Sequence, residues 1–262
     1  MVRKIQILKM RGQATSPGIH TFRISSAGIV VFPAAVVHDD TGAAAAADSA
    51  PRSQARLAMG VPRLDDMLGG GLPAGYSLLV AGPSGSGKTI LATAFLAEGV
   101  RCGEPGAIVA FEQTPSQSRT RTIDNMVRAG QIGLINTRSL DLSIDEIVQH
   151  LINLIQKMKA TRVVIDSLSG FELAVAPTFR EDFRESLFRM VAVLAGLGVT
   201  VLLTSELEDR YIDLRFSPYG SAFLTDAIIV QRYIEIGSCL KRVMAVVKVR
   251  ASAHSNELRQ FE

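Results

Sequence analysis

No stretch constrains this chain more than Gly82-Pro83-Ser84-Gly85-Ser86-Gly87-Lys88-Thr89. It follows the apolar run Ser77 to Ala81 and leads into Ile90 to Leu96, so the local order is strand, glycine-rich turn, helix. The pattern G-x-x-x-x-G-K-[ST] in that setting predicts a phosphate loop. Small residues let successive backbone N–H groups turn inward around a phosphate, and the helix that follows points its positive end at it. Lys88 is placed to reach the β- and γ-phosphates of a nucleotide, and Thr89 to offer its hydroxyl to a Mg²⁺ ion bridging them. Gly82 to Ile90 is therefore the candidate nucleotide-binding segment.

The chain around that segment alternates. Ala107 to Phe111 reads as a strand, Val163 to Ser167 as a buried strand that ends in a carboxylate, and Val199 to Leu203 as a further apolar run, of the kind that strands buried on both faces require. Helical segments lie between them: a polar one with Arg119, Arg121 and Arg128 that ends before Gly130, and one over Glu181 to Leu197 with Phe183, Leu187, Met190 and Leu194 on one face. Ser143-x-x-Glu146 is a capping box opening a further helix, with Ile144, Ile147, Val148, Leu151 and Ile155 at helical spacing. Ala227 to Ile236, a turn at Gly237-Ser238 and Arg242 to Val249 read as an antiparallel hairpin at the sheet's edge. The expected fold is α/β, a mostly parallel sheet with helices on both faces and a C-terminal antiparallel hairpin.

Two carboxylates end strands in this scheme. Asp166 follows Val163-Val164-Ile165, at the mouth where such sheets bind ligands, and is the candidate Mg²⁺ residue beside Thr89; alone, it reads equally as a helix cap. Glu112 follows Phe111 and should face the same mouth, where a carboxylate can polarise an attacking water. Lys248 and Arg250 are two apart on a strand and project from one face. Such a pair ordinarily blunts a sheet edge, but two cations on a rigid strand also suit stabilisation of charge on a transferring phosphoryl group, supplied in trans by a neighbouring subunit.

Composition excludes more than it selects. The net charge is +3, with Lys and Arg spread along the chain, which does not argue for nucleic acid. Cys102 and Cys239 are the only cysteines, too few for a disulfide framework or a C-x-x-C metal site, and a reducing cytoplasm fits best. The basic start Met1 to Lys4 is not followed by a signal-peptide core, and no run reaches spanning length. Neither H-E-x-x-H nor G-x-S-x-G occurs.

A fixed offset pairs Arg3 with Arg242, Lys9 with Lys248, Arg11 with Arg250, Ala14 with Ala253, Ser16 with Ser255 and Phe22 with Phe261. About one identity is expected by chance over such a span, so the chain carries an internal repeat of its last segment. Residues 1–33, with short strands expected at Ile5 to Leu8 and Gly28 to Phe32, read as the tail of a preceding domain. Residues 34–56, with their run of Gly and Ala, read as a low-complexity linker, and 57–262 as the nucleotide-binding unit.

The segments Gly60 to Leu68, Gly69-Gly70-Gly71-Leu72-Pro73, Gly82 to Thr89, Phe111-Glu112, Val163 to Ser167 and Lys248-x-Arg250-x-Ser252-x-His254 together resemble the KaiC-like branch of the RecA superfamily. The resemblance implies a RecA-type P-loop ATPase core and homo-oligomeric, hexameric rings with ATP between subunits. It places Lys88, Thr89 and Asp166 at phosphate and Mg²⁺, and sends Lys248 and Arg250 to the neighbour's γ-phosphate. It also implies a signalling role through a protein partner that the sequence does not identify. Two departures qualify it. Glu112 is followed by Gln113 where relatives commonly carry a second Glu, which leaves a non-hydrolysing, nucleotide-gated scaffold as the alternative. Ala222 and Phe223 stand where the family's clock protein phosphorylates an adjacent Ser-Thr, so that autophosphorylation is not expected. A recombinase-like DNA-binding role is disfavoured by the candidate pore loop Glu206 to Arg215, with four acidic residues against two arginines.

Overall fold

The computed structural model describes residues 3–16, 18–26, 28–33, 55–111, 121–136, 143–174, 183–207 and 224–261. In chain order the elements are β1 (Arg3–Gln6), β2 (Ile19–Ser25), β3 (Gly28–Phe32), β4 (Arg56–Leu57), α1 (Pro62–Met67), β5 (Leu72–Pro73), β6 (Ser77–Gly82) and α2 (Lys88–Arg101). There follow β7 (Gly106–Ala110), α3 (Arg121–Arg128), β8 (Ile132–Asn136), α4 (Ile144–Met158), β9 (Arg162–Asp166), α5 (Leu168–Ala174) and α6 (Phe183–Gly196). The chain closes with β10 (Thr200–Glu206), β11 (Ala227–Ile236), β12 (Cys239–Val249) and β13 (Arg259–Phe261).

One eight-stranded sheet carries the site, in the order β13-β12-β11-β6-β10-β9-β7-β8. From β11 to β8 the strands are parallel; β12 and β13 are antiparallel additions at one edge. The apolar runs are continuous because both faces are covered. Leu79 and Ala81 of β6, Val163 and Ile165 of β9 and Val201 and Leu203 of β10 pack with α4 and α6. Their alternates Leu78, Val80, Val164 and Leu202 pack with α1, α2 and α3 on the other side. Leu91, Phe95 and Leu96 seat α2 against the sheet, each burial contributing about 1.5–3 kcal/mol, and so hold the turn before α2 in place.

Arg162, the first residue of β9, is 1% exposed. Its guanidinium donates to Glu104 Oε2 at 2.7 Å, Ala58 O at 2.7 Å and Phe95 O at 3.0 Å, and lies 4.7 Å from the centre of the Phe95 ring. The strand ending in Asp166 is thereby tied to the helix following the phosphate loop. Gly99 leaves room for it, since a Cβ there would come within 2.6 Å of Arg162 Cδ.

The N-terminal segment forms its own antiparallel sheet, β1-β2-β3. Arg3 is level with Phe22 and Lys4 with Thr21; Arg242 is level with Phe261 and Val243 with Gln260. The offset of the sequence repeat is thus kept in the strand register. The small sheet sits on α4, where the Thr21 and Ser143 hydroxyls meet at 2.8 Å, Arg23 Nε donates to Glu146 Oε1 at 2.6 Å and the Phe32 ring meets His150 edge-on. This changes half of the expected capping box: Ser143 Oγ accepts from Glu146 N, but the Glu146 carboxylate is engaged by Arg23. Strand bounds shift as well. β1 stops at Gln6, short of the expected Leu8, and β2 lies where no strand was expected.

Candidate nucleotide-binding site

β6 delivers the chain to the mouth at Gly82, where a Cβ would lie 2.8 Å from both Gln231 O and Ser86 Oγ. The loop therefore closes tightly on its own strand and on β11. Ser86 Oγ donates to Gln231 Oε1 at 3.0 Å, with both residues buried, which pins the loop floor. Gly87, at φ 103°, turns the chain into α2, and no side chain caps that helix. Its first N–H groups and the positive end of its dipole thus face the loop without a protein acceptor from a cap. Lys88 Nζ folds back to donate to Gly82 O at 2.9 Å and Pro83 O at 2.7 Å. Burial holds its pKa below the usual lysine value, while Glu206 and Asp166 pull it back up.

Asp166, at the end of β9, is buried and held from two sides. Its Oδ2 accepts from Thr89 Oγ1 at 2.9 Å, and its Oδ1 accepts from Thr204 Oγ1. Carboxylate, hydroxyl and ammonium meet in a cavity of about 320 Å³ that Ser84, Gly85 and Gly87 close on one side and Ser167 and Glu206 on the other. Ile90 lines its rim and is 63% exposed. The donor set fits the group the motif implies: hard oxygens on Thr89 and Asp166 for Mg²⁺, backbone N–H groups and Lys88 for phosphate. The sequence reading missed Thr204 and Gln231 and placed Glu206 in the candidate pore loop, whereas it ends β10 and lines this cavity. β10 runs three residues past the expected end at Leu203, so its polar tail reaches the mouth; Glu206 is level with Gly82, and Leu207 N donates to Gly82 O at 3.1 Å. The signal was the polar triplet Thr204-Ser205-Glu206 after an apolar run, the same signature that marked Asp166.

Glu112 and Gln113 lie outside the described residues, as do Ala222, Phe223 and positions 208–215 of the candidate pore loop. The preceding Phe111 N donates to Asp166 O at 3.0 Å. Lys248 and Arg250 are described, and they are not part of this cavity. They lie where β11 begins, at the opposite rim of the sheet from the phosphate loop. Val249 is level with Ala227, and Ala227 with Leu78; from Leu78 to Gly82 the strand rises about 13 Å. Lys248 Nζ donates to Thr225 O at 2.7 Å, and Arg250 pairs with Asp226 Oδ1 at 3.5 Å. Arg250 stands just beyond the end of β12 rather than on the strand. Burial, then the neighbouring Arg250, lowers the Lys248 pKa, against the pull of Asp226.

Residues 57–262 match the family model described as "ATPase: KaiC". The chain belongs to the KaiC ATPase family. Similarity runs beyond the matched unit: the circadian clock oscillator protein KaiC of Picosynechococcus sp. is 29% identical over 265 residues, covering 99% of this chain and 49% of that protein. The circadian clock protein KaiC3 of Synechocystis sp. is 28% identical over 99% of this chain and 50% of its own length. This KaiC-family chain thus spans about half the length of the curated relatives it matches. A crystal structure of a KaiC-like protein from Pyrococcus horikoshii OT3 superposes with a TM-score of 0.70 at 28% identity, covering 79% of this chain and 94% of that one. The fold expected from the sequence, a RecA-type core with a mostly parallel sheet and an antiparallel C-terminal edge, is the fold observed. Among the described residues no helix is long and apolar enough to cross a membrane.

Proposed function

We propose that this chain is a Mg²⁺-dependent ATPase that hydrolyses ATP at sites shared between protomers of a ring, hexameric as the family resemblance implies, and uses nucleotide state to set its affinity for a signalling partner. Lys88 and the loop N–H groups would hold the phosphates, and Thr89 and Asp166 the Mg²⁺, which when bound offsets charge on the phosphate oxygens. Thr204 keeps the Asp166 carboxylate aimed. Glu112 would polarise the attacking water, a role supported by the bond from Phe111 N to Asp166 O just before it. The observation that carries the reading is the separation of the cations from the loop. Lys248 and Arg250 sit at the far rim of their own sheet, so any phosphate they serve belongs to another protomer.

Lys88→Ala should abolish nucleotide binding, and Glu112→Gln should leave binding while removing turnover. Unchanged turnover in both variants would sink the reading. Gln113 favours a second one, a scaffold that assembles on ATP without releasing phosphate; under it Gln113→Glu raises a wild-type rate that starts near zero. We also propose that residues 1–33 repeat the tail of a KaiC-like unit, joined by a linker to the unit expected at 57–262. The shared register of β1-β2 and β12-β13 supports this. The expected linker end at 56 moves back, because Arg56 already pairs with Pro73 in β4 and Ala55 O accepts from Ala74 N at 2.9 Å.

A further inference from the structure

We infer that Arg56 is a positioning residue for the shared site: it fixes the loop from Lys248 to His254 against the turn that leads into the phosphate-loop strand. The inference rests on the trans role proposed for Lys248 and Arg250.

Arg56 belongs to β4, where the chain leaves the low-complexity stretch. β4 pairs with β5, Arg56 level with Pro73 and Leu57 with Leu72. One Arg56 nitrogen, Nη1, donates to Leu68 O at 2.8 Å and to Gly71 O at 2.8 Å. The other, Nη2, donates to Ser252 Oγ at 2.6 Å. A planar fork of this kind can bridge three acceptors in fixed geometry, which a lysine ammonium on a flexible stem cannot reproduce. The glycine turn is shaped to allow it: at Gly71, with φ 109°, a Cβ would come within 2.5 Å of Leu57 O, so no other residue lets β4 approach this closely.

The remaining contacts explain why Ser252 is the point that needs holding. Arg250 is fixed through its backbone, with N donating to Asp226 O at 2.8 Å and O accepting from Tyr76 Oη at 3.0 Å. Asp226 is in turn held by Ser77 N and Oγ, each at 3.0 Å. Past the loop, Ser255 N donates to Met67 O at 2.8 Å. Between these anchors the backbone takes a left-handed step at Ala251, φ 51°. Ser252 follows it, and Arg56 supplies the side-chain tie there. Without that tie the backbone just past Arg250 loses its side-chain hold. The Arg250 guanidinium, whose own partner Asp226 Oδ1 is as far as 3.5 Å, is the cation this would shift, and a displacement of about 1 Å in such a group can cost up to a hundredfold in rate.

The test is complementation between full-length variants. Arg56→Ala protomers should bind ATP as wild type does, because their phosphate loop is intact, and should turn it over between about tenfold and a hundredfold more slowly. Lys88→Ala protomers cannot hold nucleotide but present an intact cation loop. Mixed equally, the two should recover about a quarter of wild-type turnover, the share of junctions that join an intact pocket to an intact loop in a randomly assembled ring. A matched mixture of Arg250→Ala with Lys88→Ala reads the shared site itself. Recovery in both mixtures supports the role of Arg56. Recovery with Arg250→Ala but not with Arg56→Ala overturns it and leaves the shared site standing. Recovery in neither removes the shared site, and the inference with it. Arg56→Lys guards against misfolding: it should melt as wild type does yet behave as Arg56→Ala in the mixture, and wild-type turnover in Arg56→Lys would contradict the need for a bridging fork.

Discussion

Arg162→Ala should be among the most damaging single substitutions outside the site, and its cost can be worked from the contacts. The side chain is 1% exposed, and its guanidinium serves Glu104, Ala58 O and Phe95 O together. Removing one partner of a buried ion pair costs about 3–5 kcal/mol, chiefly through the charge left behind. Here the remaining carboxylate, Glu104, has 30% of its side chain exposed and recovers some water, which favours the lower part of that range. Against this, Ala58 O loses a charged donor, worth about 1.5–3 kcal/mol, and the lost stem leaves a cavity beside Gly99. The expected loss is about 3–5 kcal/mol, or about 6–20 °C in melting temperature for a domain of this size. Urea unfolding followed by far-UV circular dichroism measures it. Glu104→Gln keeps an acceptor but leaves the buried guanidinium without its counter-charge, and should lose about 1.5–3 kcal/mol, less than Arg162→Ala. A sharper check uses Gly99→Ala, which collides with Arg162 in the native chain and should destabilise it. In the Arg162→Ala background the collision with that side chain is gone and only the approach to Glu104 O at 3.3 Å remains, so the same change should cost far less, offset by up to about 1 kcal/mol of helix propensity. A loss below 1 kcal/mol for Arg162→Ala, or additive effects of the two substitutions, would refute the account of this contact.

The Lys88 pKa is lowered from 10.5, so the ammonium is lost at a lower pH than in a free chain, and ATP affinity should decline on the alkaline side before pH 10.5. Lys88→Arg should flatten that limb in a titration of nucleotide binding. In the unliganded protein the unfolded chain binds more protons in the same window, so this group's contribution to stability rises with pH through it. Asp166→Asn should leave ATP binding without Mg²⁺ nearly unchanged while weakening Mg²⁺-ATP about tenfold or more, read by calorimetry with and without the metal. Arg23→Ala should release the small sheet from α4 at a cost of about 1 kcal/mol, seen as faster amide exchange confined to β2 and β3.

The core of this fold was legible because its signals are local and redundant. An apolar run reads as a strand whichever helix covers it, and Gly82 to Thr89 carries its geometry in its own glycines. What the sequence hid depends on the third dimension. Thr204, Glu206 and Gln231 reach the loop only because β10 and β11 flank β6, an order that no local pattern encodes. The capping box at Ser143 was legible, but the use of Glu146 by Arg23 joins positions far apart in the chain. The pairing of Lys248 with Arg250 was visible from their spacing, whereas their distance from their own phosphate loop required the register of β11 and β12. Arg56, beside a low-complexity stretch, gave no sign of the three acceptors it serves.

The most direct test of the shared site is the ATP turnover rate per protomer as protein concentration is raised. A pocket completed by a neighbour's Lys248 and Arg250 must be idle in the isolated protomer. The rate per protomer should therefore climb with concentration to a plateau, and Arg250→Ala should lower the plateau without weakening ATP binding. A rate that is flat and above zero at every concentration would mean that each protomer is catalytically complete, and would contradict the trans role of these two residues.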